Sequence, residues 1–190
     1  MKKYLILLLL ALPLVCAAQV NFKFQQDGTY RDADGKDYII VKYDSISAKD
    51  LFLMVKNNIN QLYKNPKEVM SEVENASISV RGYSESVFYV PTTSSETSCS
   101  GYYNLTFEFK NGRIKVHAPI IDDEVTYYSA VMNSYEKIYV GDYAPKLFKM
   151  KNGKPAYKRS QMCLDMMETQ INTLINNILL YKKKSSEDDW

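Results

Sequence analysis

Histidine occurs once in this 190-residue chain, at His117, which excludes a metal site built on two or more histidines within one chain. Glycine is also scarce, with seven residues, and none frames a serine nucleophile. Ser84-Glu85-Ser86 lacks the flanking glycines that a strained strand-to-helix elbow requires. Cysteine is limited to Cys16, Cys99 and Cys163. Neither sign of charge dominates, with 24 Lys+Arg against 22 Asp+Glu. After the first 15 residues no apolar run approaches the roughly 20 residues of a membrane-spanning helix.

The start of the chain is different. Lys2 and Lys3 precede an apolar run from Tyr4 to Leu14, and Cys16-Ala17-Ala18 then offers small residues where a signal peptidase reads. The expectation is a signal peptide over residues 1–18, cleaved before Gln19, and an exported protein, periplasmic or secreted. Lipid anchoring at Cys16 is disfavoured, because Val15 stands where lipoprotein processing wants a small residue. Removal of Lys2 and Lys3 leaves 22 charges of each sign, and a neutral domain has no global field for gathering nucleic acid. About 172 residues remain, enough for one domain with a substantial core.

Cys99 and Cys163 survive processing and leave two arrangements open. They bridge, which in the chain-entropy model stabilises a loop of that length by roughly 4 kcal/mol, or they stay as two thiols. The compositional excess is tyrosine, with 16 residues, each joining a large apolar ring to a polar tip.

Residues 19–36 read as an N-terminal extension, and 37–184 as a single domain. Asp37 to Asp44 alternates as a strand, with Ile39, Val41 and Tyr43 on one face. Ser47 caps a helix with Asp50 three positions on, and Leu51, Val55, Ile59 and Leu62 form its stripe, widened by Phe52. Asn65-Pro66 ends it. Lys67 to Asn75 and Ala76 to Val90 read as strands, with a bulge or face switch expected at Gly82. Pro91 to Ser100 lacks an apolar period and reads as a mobile loop.

Tyr102 to Lys110 and Arg113 to Ile121 alternate around Asn111-Gly112, the signature of a two-residue hairpin. That register pairs Phe109 with Ile114, Phe107 with Val116, Leu105 with Ala118 and Tyr103 with Ile120 on one face. The other face carries Glu108, Lys115, Thr106 and His117, so the sheet is expected to be covered on one side only. Residues 122–158 form a tyrosine-rich insertion of loops, a short helix or an extra hairpin. Ser160 to Lys183 is a helix with Cys163, Met167, Ile171, Leu174, Ile178 and Tyr181 along one stripe, ended by Lys182 to Lys184. Residues 185–190 form a flexible tail. The predicted fold is α+β: about five antiparallel strands with two helices packed on one face, in β-α-β4-α order and two layers.

The export signal, and the run Asp37-Tyr38-Ile39-Ile40-Val41 leading into Ser47-Ala48-Lys49-Asp50-Leu51-Phe52, resemble a family of secreted bacterial domains of unknown function. That family has a TATA-binding-protein-like fold. The resemblance extends to Tyr103–Arg113 as a tyrosine-bearing strand before a glycine-containing turn. It implies a fold and an exported location, and no activity.

Little in the chain points to catalysis, and no cofactor or metal is expected. His117 falls on the wet sheet face, and a Cys99–His117 nucleophile pair would have to bridge on the order of 23 Å along the strand. Asp122, Asp123 and Glu124 cluster, but neighbours on a strand point to opposite faces, and no calcium-loop glycine spacing is present. Two function classes follow. The first is a non-enzymatic domain that binds a protein or glycan partner in the cell envelope through the wet face and the tyrosines, with Tyr102, Tyr127, Tyr128, Tyr135 and His117 as contact residues and Tyr83, Phe88 and Tyr89 extending them. The alternative is a small envelope hydrolase using Asp122, Asp123 or Glu124. Nucleic acid is not an expected partner.

Overall fold

A computed structural model describes residues 20–92, 95–152, 154–155 and 157–180. The expectations for the signal peptide, Cys16, Tyr181, the lysines at 182–184 and the tail lie outside those residues. The elements in chain order are β1 (Lys23–Phe24), β2 (Tyr30–Arg31), β3 (Tyr38–Lys42), α1 (Ala48–Leu62), α2 (Pro66–Val69), β4 (Met70–Val73), β5 (Ser77–Pro91) and β6 (Glu96–Lys110). They continue as β7 (Arg113–His117), β8 (Ile120–Ile121), β9 (Glu124–Ser129), β10 (Ser134–Tyr139), α3 (Val140–Leu147), β11 (Met150–Lys151), β12 (Lys154–Pro155) and α4 (Ser160–Leu179).

The fold is α+β, and richer than five strands and two helices. Among the described residues the main sheet has eight strands, and there are four helices. Its spine is the antiparallel pair β5 and β6, each 15 residues long. One half of the sheet runs β4-β5-β6-β7-β3, the five strands expected. The excess comes from β8 and β9, which line up after β7 along the same edge of β6, and from β10, which pairs with the outer side of β9. Lys67–Asn75 is not one strand. Pro66 supplies a preset first-turn φ, so one turn of helix forms before β4 begins.

The Asn111-Gly112 turn pairs Lys110 with Arg113, Phe109 with Ile114 and Phe107 with Val116 as expected, and all four apolar residues are buried. Only Gly112 takes a positive φ, of 73°. Asn111 instead accepts the Ala48 N–H through Oδ1 at 2.9 Å, tying the turn to the start of α1. The expected register fails beyond His117. Pro119 has no N–H to donate, the ladder breaks, and it resumes one residue later with Tyr103 opposite Ile121 and Asn104 opposite Ile120. The slip sends Ile120 to solvent, 64 % exposed, and turns Ile121 toward the core.

Gly82 does not switch the face of β5; it pairs directly with Tyr103. The irregularity lies between Ser84 and Phe88, where three residues of β5 face one of β6. Two extra residues preserve the parity, so Ile78, Val80, Phe88 and Val90 all reach the core. The Pro91–Ser100 loop is also shorter than expected, because β6 begins at Glu96.

Ser47 caps α1, its Oγ accepting the Asp50 N–H at 3.1 Å. Leu51, Phe52, Val55 and Ile59 are buried, while Leu62, at the frayed end of the stripe, is 46 % exposed. α1 packs on β5, β6 and β7, and α4 packs on β5 and β6, so both cover one face. Asn58 Nδ2 donates to the Ile178 carbonyl at 2.9 Å and the Tyr43 hydroxyl to that of Leu179 at 2.8 Å, which satisfies carbonyls left open at the end of α4.

The N-terminal segment enters the core, with Val20, Phe22, Phe24 and Tyr30 all buried. Its backbone is held by α4. Asn176 accepts the Val20 N–H and donates to the Val20 carbonyl, both at 2.9 Å. Asn172 does the same for Phe22 at 2.8 and 2.9 Å, and Glu168 accepts the Phe24 N–H at 3.2 Å. Four helical residues rise about 6 Å and two extended residues about 6.6 Å, so side chains one turn apart match alternate residues of the strand. Cys99 on β6 and Cys163 on α4 are free thiols, both buried in this core.

Candidate functional site

Alternation along β6 puts Cys99, Gly101, Tyr103 and Leu105 under the helices and Ser100, Tyr102 and Asn104 on the open face. A groove of about 620 Å³ lies on that face where β6 exchanges β8 for β9 as its neighbour. Gly101 lets the layers close beneath it, since a Cβ there would stand 2.9 Å from Val125 Cγ1 and 3.1 Å from Val87 Cγ1.

One wall of the groove is a fixed assembly of four side chains. Arg81 on β5 donates to both carboxylate oxygens of Asp122, at 3.1 and 2.6 Å. This two-point geometry holds the guanidinium plane, and the hydrogen bond that Arg81 donates to Asp122 pushes the Arg81 pKa further up. The guanidinium carbon sits 4.7 Å from the centre of the Tyr102 ring. Tyr102 meets Tyr83 edge to face, with centroids 5.2 Å apart. Both tyrosines are exposed, at 47 % and 56 %. A second, apolar cavity of about 330 Å³ between α4 and the β5 irregularity shares Tyr83 and Ile121 with the groove.

The three clustered acids line the groove but each has its own partner. Asp122 is held by Arg81. Asp123 Oδ1 accepts the Gly141 N–H at 3.0 Å and its carbonyl the Val140 N–H at 2.7 Å, anchoring the start of α3. Glu124 pairs with Lys137 of β10 at 2.8 Å. Among the described residues no group of three or more His, Cys, Asp or Glu is placed to hold a metal ion.

The five anticipated contact residues do not form one site. Tyr102 is in the groove. Tyr128 and Tyr135 pair across β9 and β10, ring centroids 5.5 Å apart and 50 % and 75 % exposed, forming a separate cluster. Tyr127 points the other way and packs against the core, as the strand period requires. His117 lies outside the groove, on β7, beside Tyr38 of β3 and 2.7 Å from Glu108 Oε1. That hydrogen bond holds the Glu108 carboxyl below its usual range. Of the residues thought to extend the surface, Phe88 is fully buried, Tyr89 is half-buried and Tyr83 belongs to the groove. Arg81 was not anticipated, although it shares the strand parity of Tyr83, which is the signal that places both on the open face.

No protein-family model matches the chain, and no curated protein does. Two solved structures are similar to it. One is a TBP-like protein from Parabacteroides distasonis ATCC 8503, 14 % identical, covering 74 % of this chain and 87 % of that one, with a TM-score of 0.47. The other is a DUF4468 family protein from Bacteroides ovatus ATCC 8483, 11 % identical, covering 84 % of this chain and 91 % of that one, with a TM-score of 0.49. The first neighbour is described as TBP-like and the second by a family number.

Proposed function

We propose that this chain is an exported, non-enzymatic binding module of the cell envelope that engages a protein or glycan partner through its open sheet face. The Arg81–Asp122–Tyr102–Tyr83 assembly carries the reading. Its rings are held in place before a ligand arrives, so binding costs little side-chain entropy. An exposed aromatic surface beside fixed hydrogen-bonding groups suits a sugar ring or a protein side chain. The groove acids are already engaged by Arg81, the α3 backbone and Lys137, which supports binding over hydrolysis. Export rests on Lys2, Lys3, the apolar run and Ala17-Ala18.

The test is photo-crosslinking in the native envelope from position 102, with position 53 on the opposite layer as reference. Leu53 is 42 % exposed on α1. A defined protein or glycan product from position 102, absent from position 53 and lost in the R81A variant, is the expected result. Identical products from both positions, or products that survive R81A together with Tyr83→Ala, would defeat the reading.

A further inference from the structure

The β9–β10 hairpin carries an apolar tip that nothing among the described residues covers. Val131 and Met132, in the turn between the strands, are 94 % and 68 % exposed. The hairpin joins β6 through a single ladder pair, Ser100 with Thr126, so its end stands clear of the sheet. Eleven consecutive residues, from Val125 to Tyr135, carry no charge. Behind the tip the chemistry is layered. The first rungs are Ser129 with Ser134 and Tyr128 with Tyr135; Glu136 follows opposite Tyr127, its carboxylate accepting from Ser134 Oγ at 2.7 Å, and then Lys137 opposite Thr126.

We infer that this tip inserts into the interfacial region of a lipid bilayer. A convex wedge fits a surface that yields to it, whereas a groove fits one that protrudes. The order of groups also matches the order of a membrane surface. Two apolar side chains lead, and a pair of tyrosines follows about 7–10 Å behind at the strand rise. Interfacial segments bury their apolar side to a similar depth of about 5–10 Å, and tyrosine rings favour the headgroup level. Glu136, one rung behind the tyrosines, then sits at the headgroup edge, and Lys137, about 7 Å behind them, and Glu124, about 13 Å behind, remain in water. Because the inserting run is uncharged, its attraction to lipid is independent of headgroup charge. This inference does not depend on what occupies the groove.

Vesicle sedimentation tests it, using the protein as purified from its host, with an identical N-terminus verified by mass spectrometry for each variant. The parent is expected to bind phosphatidylcholine vesicles equally with and without phosphatidylglycerol. V131D/M132D should bind at least about tenfold more weakly, since two side chains lose their apolar burial. V131S/M132S should fall between them and guards against a folding defect, which equal melting curves exclude. In Tyr135→Trp, emission should shift to the blue on adding vesicles, read against the Trp190 background of the parent. Absence of vesicle binding, equal binding by parent and V131D/M132D, or an unshifted Tyr135→Trp spectrum would overturn the inference. So would loss of an envelope protein crosslink in V131D/M132D with vesicle binding unchanged, which would make the tip a protein contact.

Discussion

The Tyr103 ring lies across Gly82 so closely that a Cβ at position 82 would stand 2.3 Å from its hydroxyl oxygen and 2.4 Å from Cζ. The two residues are direct partners on β5 and β6, and the ring continues over Gly82 to place its hydroxyl 2.8 Å from that of Tyr63, just past α1. Gly82 is therefore the saddle that lets one side chain tie the sheet to the first helix. G82A should destabilise the protein by about 2–3 kcal/mol in urea denaturation, as the ring is driven off its rotamer. Y103F, which keeps the ring and removes the bond to Tyr63, should cost about 1 kcal/mol. In a double-mutant cycle, G82A should cost much less in a Y103A background, because the clash is then gone.

Asn172 answers both backbone groups of Phe22 from the middle of α4. N172A leaves a buried N–H and a buried carbonyl without partners, at a cost of about 3 kcal/mol. N172D keeps the acceptor for the N–H but turns a carboxylate oxygen toward the Phe22 carbonyl in a buried site, so it should be no milder than N172A at neutral pH. Hydrogen exchange at Phe22 reads the effect directly. Protection there should fall in N172A before protection on β6 does.

Burial pushes the phenols of Tyr30, Tyr43, Tyr63, Tyr103 and Tyr143 above the ordinary value of 10.0, Tyr43 and Tyr143 to about 12. A folded state that retains protons which the unfolded state releases is destabilised as pH rises. The contribution is complete below pH 10 and is lost as the pH climbs through the raised values. Phenolate absorbance should therefore rise in two steps, the later one coinciding with loss of circular dichroism. A single step with the fold intact would contradict this.

Burial also pushes the Cys99 and Cys163 thiols up, to about 12 and about 11. Thiolate is the reactive form, so both should resist alkylation in the native protein at neutral pH. Unfolding without reductant should make both Cys99 and Cys163 reactive, as two free thiols at these positions require. Labelling of neither would reveal a bridge.

Much of the half-covered sheet was legible because Asn111-Gly112 fixes a register, and that register forces Phe107, Phe109, Ile114 and Val116 to one side. Its limit was legible too: pairing Asn104 with Pro119 asks for an N–H that proline lacks. The start of β6 was hidden because two of its inward positions are Cys99 and Gly101, which give little apolar alternation. The groove was harder to see. Arg81 and Asp122 lie 41 positions apart, and it takes both the β5–β6 and the β6–β8 pairing to bring them together. Reading Tyr127 and Tyr128 as one surface failed for a local reason, the two-residue period of the strand. The hold of Asn172 and Asn176 on Val20 and Phe22 leaves no local pattern at all, since it matches a helix repeat to a strand repeat about 150 residues away.

That last relationship sets the order in which the molecule is finished. Val20 leaves the ribosome well before Asn176, which lies 156 positions further on. Until α4 arrives, Phe22, Phe24 and Tyr30 have no lid and the backbone between them has no side-chain amides to bind. Contacts of such long sequence separation slow folding and prolong the life of open intermediates. A nascent chain of this design cannot close prematurely, and its N-terminal aromatics stay available to whatever escorts it until the final helix docks.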